Sequence, residues 1–398
     1  MPINYQDLHG RIRELGRQAR QQRHTLAERR AQARALLHAH ATDQEGLRQV
    51  VETALQLDPT LRCAVPLEEP LTTSHPLPKG PAVATLLAVD GSQIPPDRHA
   101  PLSFAVINIG AIWMHPQSGQ APSTEAESQL IYGDDLLEEH TLISESALSL
   151  KRDLRERTKL AELAERLQKP LIALTDGPIE LWGAKGEDAR AYAEFVREHL
   201  HVLARLQEQE VILAGYVEKP FANLMIRLLE LTMAPQPLRR EDLLASPLRG
   251  VSDRWLFGEP GQPLLRAGER SAVFGLQSAS SKNYRGVFSL HFFYLNVGFD
   301  QHPWPVRVEV PRWVAEDSRK LDLLHRALVE QCRMMGSRPY PYLLHRAHET
   351  ARVSAEEKRQ IEAWLALELR RHDGEIDDLS HKQSAKQLAG RSRNRSER

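Results

Sequence analysis

A chain of 398 residues, 41% hydrophobic and 26% charged, is long enough for one large domain or two moderate ones and excludes a disordered or fibrous protein. Its 52 Lys and Arg against 53 Asp and Glu give a net charge of −1, so no overall basicity advertises a nucleic-acid partner. No apolar run reaches the roughly 18–20 residues a membrane helix needs, the opening MPINYQDLHGRIREL does not read as a signal peptide, and two cysteines, Cys63 and Cys332, make neither a disulfide framework nor a zinc cluster; no membrane association and a cytoplasmic location are expected.

Residues 1–57 read as a helical arm: Leu8, Ile12 and Leu15, then Leu36, Leu37, Leu47, Val50, Val51 and Leu55, recur at about helical spacing from residue 4 onward. Arginine is dense there (Arg11, Arg13, Arg17, Arg20, Arg23, Arg29, Arg30, Arg34), and so polar a segment is expected to pack on the chain's own core or on a second subunit. Residues 58–80 carry Pro59, Pro66, Pro70, Pro76 and Pro78 and read as a linker. Residues 81–371 read as one α/β domain. Its predicted strands are 82–90, 103–115 and 128–137; a helix over about 144–168 leads to strand 170–176, a helix over about 187–209 and strand 211–218. Further strands are predicted at 271–280, 286–299 and 305–314, then helices at about 316–335, 341–352 and 355–371. Residues 372–398 form a basic tail, with Arg391, Arg393, Arg395 and Arg398, too polar to fold.

The order strand, strand, strand, helix, strand, helix, strand is the skeleton of a ribonuclease H-like fold: a mixed sheet with flanking helices, here preceded by the helical arm. In that order the strand after the first helix returns by a crossover to lie parallel to the first strand. Both of those strands are apolar and both finish in Asp-Gly, at Asp90 (AVDGSQ) and Asp176 (ALTDGPI). One such Asp is most simply a turn residue. Two on neighbouring parallel strands instead make a ring of hard oxygen donors, suited to Mn²⁺ or Mg²⁺. Two such ions about 4 Å apart would clamp a phosphodiester. A third acid is expected from the intervening helix, where Glu145, Asp153, Glu156, Glu162 and Glu165 are candidates that periodicity cannot separate. Among the 17 histidines, His345 and His348 stand three apart on one helical face.

These residues resemble the NurA nucleases. AVDGSQ after a proline-rich lead-in is similar to that family's first motif, 171-LIALTDGPI-179 to its second Asp-Gly strand, and 340-YPYLLHRAHETARVS-354 to its C-terminal Tyr-Pro, Ala-His helix; VRVEVPRWV matches in character. The likeness covers roughly residues 85–354. It implies that Asp90 and Asp176 bind metal, that Glu156, about five turns ahead of Asp176, is the helix acid, and that His348 rather than His345 is a metal ligand or a donor to the scissile phosphate. Lys282 resembles a family lysine near the phosphate path. Asp-Gly-Pro replaces the more frequent Asp-Gly-Ser in the second motif, which changes the turn and spares the carboxylate. The resemblance further implies 5′-to-3′ exonuclease and single-strand endonuclease activity on DNA with Mn²⁺, a homodimer, and a hexameric HerA-type ATPase as partner in double-strand-break end resection.

Two other readings compete. An actin- or hexokinase-like ATPase shares this topology, but it cradles phosphates with Asp-x-Gly-Ser/Thr turns, and here glycine directly follows each acid while Pro178 removes an amide donor. The other is a non-catalytic dimeric adaptor that docks on a translocase.

Overall fold

Residues 40–43 interrupt the helical recurrence of the arm. The computed structural model, which describes residues 4–97, 102–138, 141–181, 189–220 and 222–372, accordingly divides it into α1 (Tyr5–Ala39) and α2 (Gln44–Leu57), with Asp43 accepting from the Gly46 amide at the start of α2. There follow β1 (Cys63–Pro66), β2 (Ser74–His75), β3 (Thr85–Ile94), β4 (Phe104–Met114), β5 (Ser123–Tyr132), β6 (Leu137–Glu138), β7 (Thr141–Leu142), α3 (Glu145–Ala164), β8 (Leu171–Asp176), α4 (Ala189–Glu208), β9 (Ile212–Val217) and α5 (Leu224–Thr232). The chain continues through α6 (Asp253–Phe257), β10 (Arg270–Ser271), β11 (Phe274–Gln277), β12 (Leu290–Asn296), β13 (Pro305–Pro311), α7 (Arg312–Ala315), α8 (Ser318–Arg333), α9 (Tyr342–Ala351) and α10 (Ala355–Arg371). Among the described residues no helix is long and apolar enough to cross a membrane. The predicted tail lies outside the described residues beyond His372, as do the first two residues of the helix predicted from 187.

The chain forms two compact units. One, the meander unit, is built from the described residues of Val83–Asp176, Glu180–Leu213 and 342–372. Its strands run in the order β8-β3-β4-β5. β3, β4 and β5 are an antiparallel meander, and β8 returns parallel to β3 with Leu86 opposite Ile172 and Val89 opposite Thr175. A meander followed by a parallel return through a helix is the ribonuclease H-like arrangement the sequence predicts. β4 is almost wholly buried and β3 is buried from Thr85 to Val89 and half-buried from Asp90 to Gln93; helices pack on them, α3 and α9 against both. Ser144 starts α3 by accepting from the Ala147 amide.

The third predicted strand, 128–137, is displaced: β5 spans Ser123–Tyr132 and ends at Gly133, whose φ is +61°. Its first half, Ser-Thr-Glu-Ala-Glu, is too polar to read as strand, yet it pairs fully with β4. Its acids are neutralised by α3: buried Lys159 Nζ donates to Glu125 Oε1 at 2.5 Å and Glu127 Oε2 at 3.1 Å, and Arg155 Nη2 to Glu127 Oε1 at 2.5 Å.

The other unit is built from the chain up to Ala82, Gly177–Ile179 and Ala214–Pro341, and its strands run antiparallel in the order β1-β11-β12-β13-β9. The proline-rich stretch 58–80 is part of this unit's framework: β1 pairs β11, β2 pairs β10, and Cys63, Ala64 and Leu71 have no exposed surface. Prolines hid these strands from the pattern. α1 touches α5 and α6; its buried residues are Ala33 and Leu37, whereas residues 4–24 are exposed throughout. Cys63 and Cys332 are buried and form no disulfide.

Burial in this unit carries a pH signature. His325 on α8 is fully buried, with Nε2 donating to the Gly268 carbonyl at 2.6 Å. Burial above all, and Arg270 nearby, pull its pKa from 6.5 down to about 4. A histidine depressed in this way contributes stability that is whole above pH 6.5 and lost as pH falls through 4. Urea unfolding should show the wild type losing about 2 kcal/mol more between pH 7 and pH 4.5 than His325→Gln, which keeps a donor and does not titrate. Equal losses would contradict a neutral, buried imidazole.

Candidate active site

Asp90 lies within β3, not at its end as the sequence suggests. Gly91, Ser92, Gln93 and Ile94 continue the strand opposite Ile109, Asn108, Ile107 and Val106 of β4, and Asp90 itself faces Gly110. The long partner strand overrides the local turn preference of Asp-Gly. The second Asp-Gly does turn: Asp176 is the last residue of β8 and Gly177 has φ +88°. Asp90 and Asp176 are the residues that follow the last registered pair of these parallel strands, Val89 and Thr175.

Side chains alternate along a strand, so Asp90 and Ser92 share one face of β3, with Gly110 and Asn108 beside them on β4. That face carries α9. A Cβ on Gly110 would lie 2.4 Å from the Ala351 nitrogen and 2.8 Å from the Ala347 carbonyl oxygen, so only glycine lets α9 lie against β4. Ser92 Oγ and Asn108 Nδ2 donate to the Ala351 carbonyl at 2.5 and 2.7 Å, and Ser128 Oγ donates to Asn108 Oδ1 at 2.6 Å. These bonds satisfy a carbonyl of the helix's last turn. Three residues earlier, His348 Nδ1 stands 2.8 Å from Asp90 Oδ2, with the imidazole 63% and the carboxylate 14% exposed. His345 pairs along its own helix with Glu349 at 3.5 Å.

Gly110→Ala tests this anchoring. Backbone, which cannot swing aside as a flexible side chain can, meets the new methyl, so the variant should lose about 1–3 kcal/mol in denaturant unfolding. Unchanged stability would mean that α9 is not held on β4 at this point.

Gly91 points to the opposite face, which carries α3. A Cβ there would lie 2.6 Å from Glu156 Oε1 and 2.8 Å from Arg152 Cγ, so the glycine of AVDGSQ admits the glutamate up to the strand backbone. Glu156 is 6% exposed. Burial foremost, then the charges of Asp153 and Asp90, push its pKa up to about 8 against the pull of Arg157 and Arg152. Of the other acids predicted as candidates on this helix, Asp153 pairs with Arg152 at 2.8 Å, Glu162 with Arg155 at 2.7 Å and Glu165 with Arg205 at 2.5 Å, while Glu145 opens the first turn.

The structure therefore brings Asp90 and His348 together on one face of β3 and Glu156 to the other face at the next residue, with Asp176 at the end of the adjoining strand. Lys282 belongs to the other unit, exposed in the turn after β11, where its carbonyl accepts from Arg285 Nε. Sequence reasoning missed Arg152, Gly110 and Asn108. It quoted Gly91 and Ser92 within the motif without assigning them work.

Among the described residues, no three His, Cys, Asp or Glu side chains stand close enough together, as placed, to hold a metal ion. The donors nonetheless fit a hard divalent cation in kind: carboxylate oxygens and one imidazole. Glu156 fits it in state as well, since a desolvated carboxyl with its pKa near 8 is returned to its charged form by a neighbouring cation.

The NurA domain profile matches residues 84–353. Comparison with curated proteins gives no match. Among solved structures, the NurA nuclease from Sulfolobus solfataricus is 13% identical over 73% of this chain and 85% of that one, with a TM-score of 0.43. The catalytic domain of human endonuclease V is 13% identical over 81% and 98%, with a TM-score of 0.32. Ciona intestinalis endonuclease V, in complex with inosine-containing DNA, is 12% identical over 78% and 96%, with a TM-score of 0.30. At these identities and scores the likenesses add nothing to the assignment, which rests on the domain match. That match spans about two thirds of the chain and takes in β3, α3, β8 and α9 alike, so the chain belongs to the NurA nuclease family.

Proposed function

We propose that this protein is a metal-dependent deoxyribonuclease in which Asp90, Glu156 and Asp176, with His348, hold Mn²⁺ or Mg²⁺, as two ions, against the scissile phosphate. The observation that carries this reading is the contact of Asp90 with His348. Two residues 258 apart in sequence meet at 2.8 Å, beside a buried glutamate and within the family's domain. A divalent cation there supplies Lewis-acid neutralisation of the phosphate charge. The protein's own part is positional. Ser92 and Asn108 fix α9, α9 fixes His348, and Asp90 engages Nδ1, which leaves Nε2 as the ring atom that would either ligate the metal or donate to the phosphate.

The finer activity follows the family resemblance: 5′-to-3′ exonuclease and single-strand endonuclease action in end resection, as a homodimer fed by a HerA-type hexameric ATPase. Lys282 is proposed on the same ground to lie along the phosphate path. Incubating single-stranded DNA labelled at either end with the protein and Mn²⁺, Mg²⁺ or EDTA tests the proposal. Degradation in Mn²⁺ that stops in EDTA is expected, with the 5′ label released first as short products. No cleavage with either metal, alone or with the ATPase, would favour the non-catalytic adaptor.

A further inference from the structure

Arg152 lies one turn before Glu156 on α3, on the face that meets β3. Its Nη2 pairs with Asp153 Oδ1 at 2.8 Å, and its Nε stands 3.3 Å from Glu156 Oε1. That Nε is buried and makes no hydrogen bond, so the guanidinium's approach to Glu156 is an ionic contact without the directed bond of a settled structural pair. Burial pulls the pKa of Arg152 down, but Asp153, Glu156 and Asp90 together more than offset it. The chain thus holds a permanent cation against Glu156 and Asp153, with Asp90, on the other face of β3, within reach of its charge. Gly91 makes room for it, since a Cβ there would lie 2.8 Å from Arg152 Cγ.

We infer that Arg152 is a resident counter-cation of the site: in the metal-free protein it offsets the charge of Asp90, and of Glu156 once that carboxyl ionises, and it competes with the divalent cation for both. The inference rests on the metal-site reading above. Arginine cannot release its charge by deprotonation, so an arriving ion is repelled until the guanidinium gives way. Arg152 is a positioning residue, acting through the acids rather than on the DNA.

The test compares wild type, Arg152→Gln and Arg152→Lys by calorimetric titration with Mn²⁺ alone and by thermal melting in EDTA and in saturating Mn²⁺. Removal of the charge should tighten Mn²⁺ binding on the order of tenfold, lower the melting temperature in EDTA, and leave it near the wild-type value in Mn²⁺. Lysine keeps the charge and should return both readouts most of the way to wild type, which also covers a glutamine variant that folds poorly. A melting temperature lowered equally with and without Mn²⁺, or Mn²⁺ binding no tighter than wild type while the wild type does bind, would overturn the inference and leave the metal site standing. Absence of Mn²⁺ binding by wild type and variants alike would instead remove the metal-site reading, and the inference with it.

Discussion

Asp90→Asn is expected to lower metal-dependent cleavage of single-stranded DNA by about a thousandfold or more while leaving the fold intact. The size of the loss follows from the position. Asp90 is the carboxylate that touches His348 and adjoins both Glu156 and the end of β8, so its charge serves each group that is to bind metal or phosphate. Stability should change little, because the imidazole it pairs with is 63% exposed and ion pairs of that kind contribute below about 1 kcal/mol. Asparagine also keeps the shape that lies opposite Gly110. Cleavage rates and thermal melts on the same preparations separate the outcomes: lost cleavage with lost folding would assign Asp90 a structural role.

Glu156→Gln has the second large effect, and it falls on stability as well as on cleavage. In the folded protein Glu156 binds its proton with a pKa of about 8, against an ordinary value of 4.5. A carboxyl raised in this way contributes stability that is whole below pH 4.5 and lost as pH rises through 8. Without metal, the wild type should therefore weaken steadily from pH 5 to pH 8, by on the order of 3 kcal/mol by pH 7. The neutral isostere carries no such term. The variant should match the wild type at pH 5 and exceed it at pH 8 in EDTA. Saturating Mn²⁺ should reverse the order, since only the wild type gains a bound ion. Cleavage by the variant should be lost throughout. Parallel pH profiles for the two proteins would mean that Glu156 is already ionised and held by another partner.

The alternation of apolar strands with helices was legible because β4, β8, β9 and the first half of β3 are buried, and strands covered on both faces leave unbroken apolar runs. What it concealed lies where long-range partners outweigh local preference. Asp90-Gly91 reads as a turn until β4 pairs with it on both sides. Glu125 and Glu127 read as loop until Lys159 and Arg155 arrive from α3. Cys63–Pro66 reads as linker because prolines flank it, although its pairing with β11 buries it. At the site, two aspartates could be proposed from strand ends alone, but Glu156 and His348 came only from family likeness. No periodicity distinguishes a helix acid that meets a glycine on a neighbouring strand from one that meets solvent. Arg152, Gly110 and Asn108 gave no signal for the same reason: their work is defined by residues about 4 to 250 positions away along the chain.

Side-by-side cleavage of end-labelled single-stranded DNA in Mn²⁺ by wild type, Asp90→Asn and Asp176→Asn tests the central claim most directly. A single metal site built across β3 and β8 predicts cutting by the wild type and its loss in both variants, each still folded by circular dichroism. Cutting by both variants at the wild-type rate would contradict it and move the chemistry elsewhere in the protein.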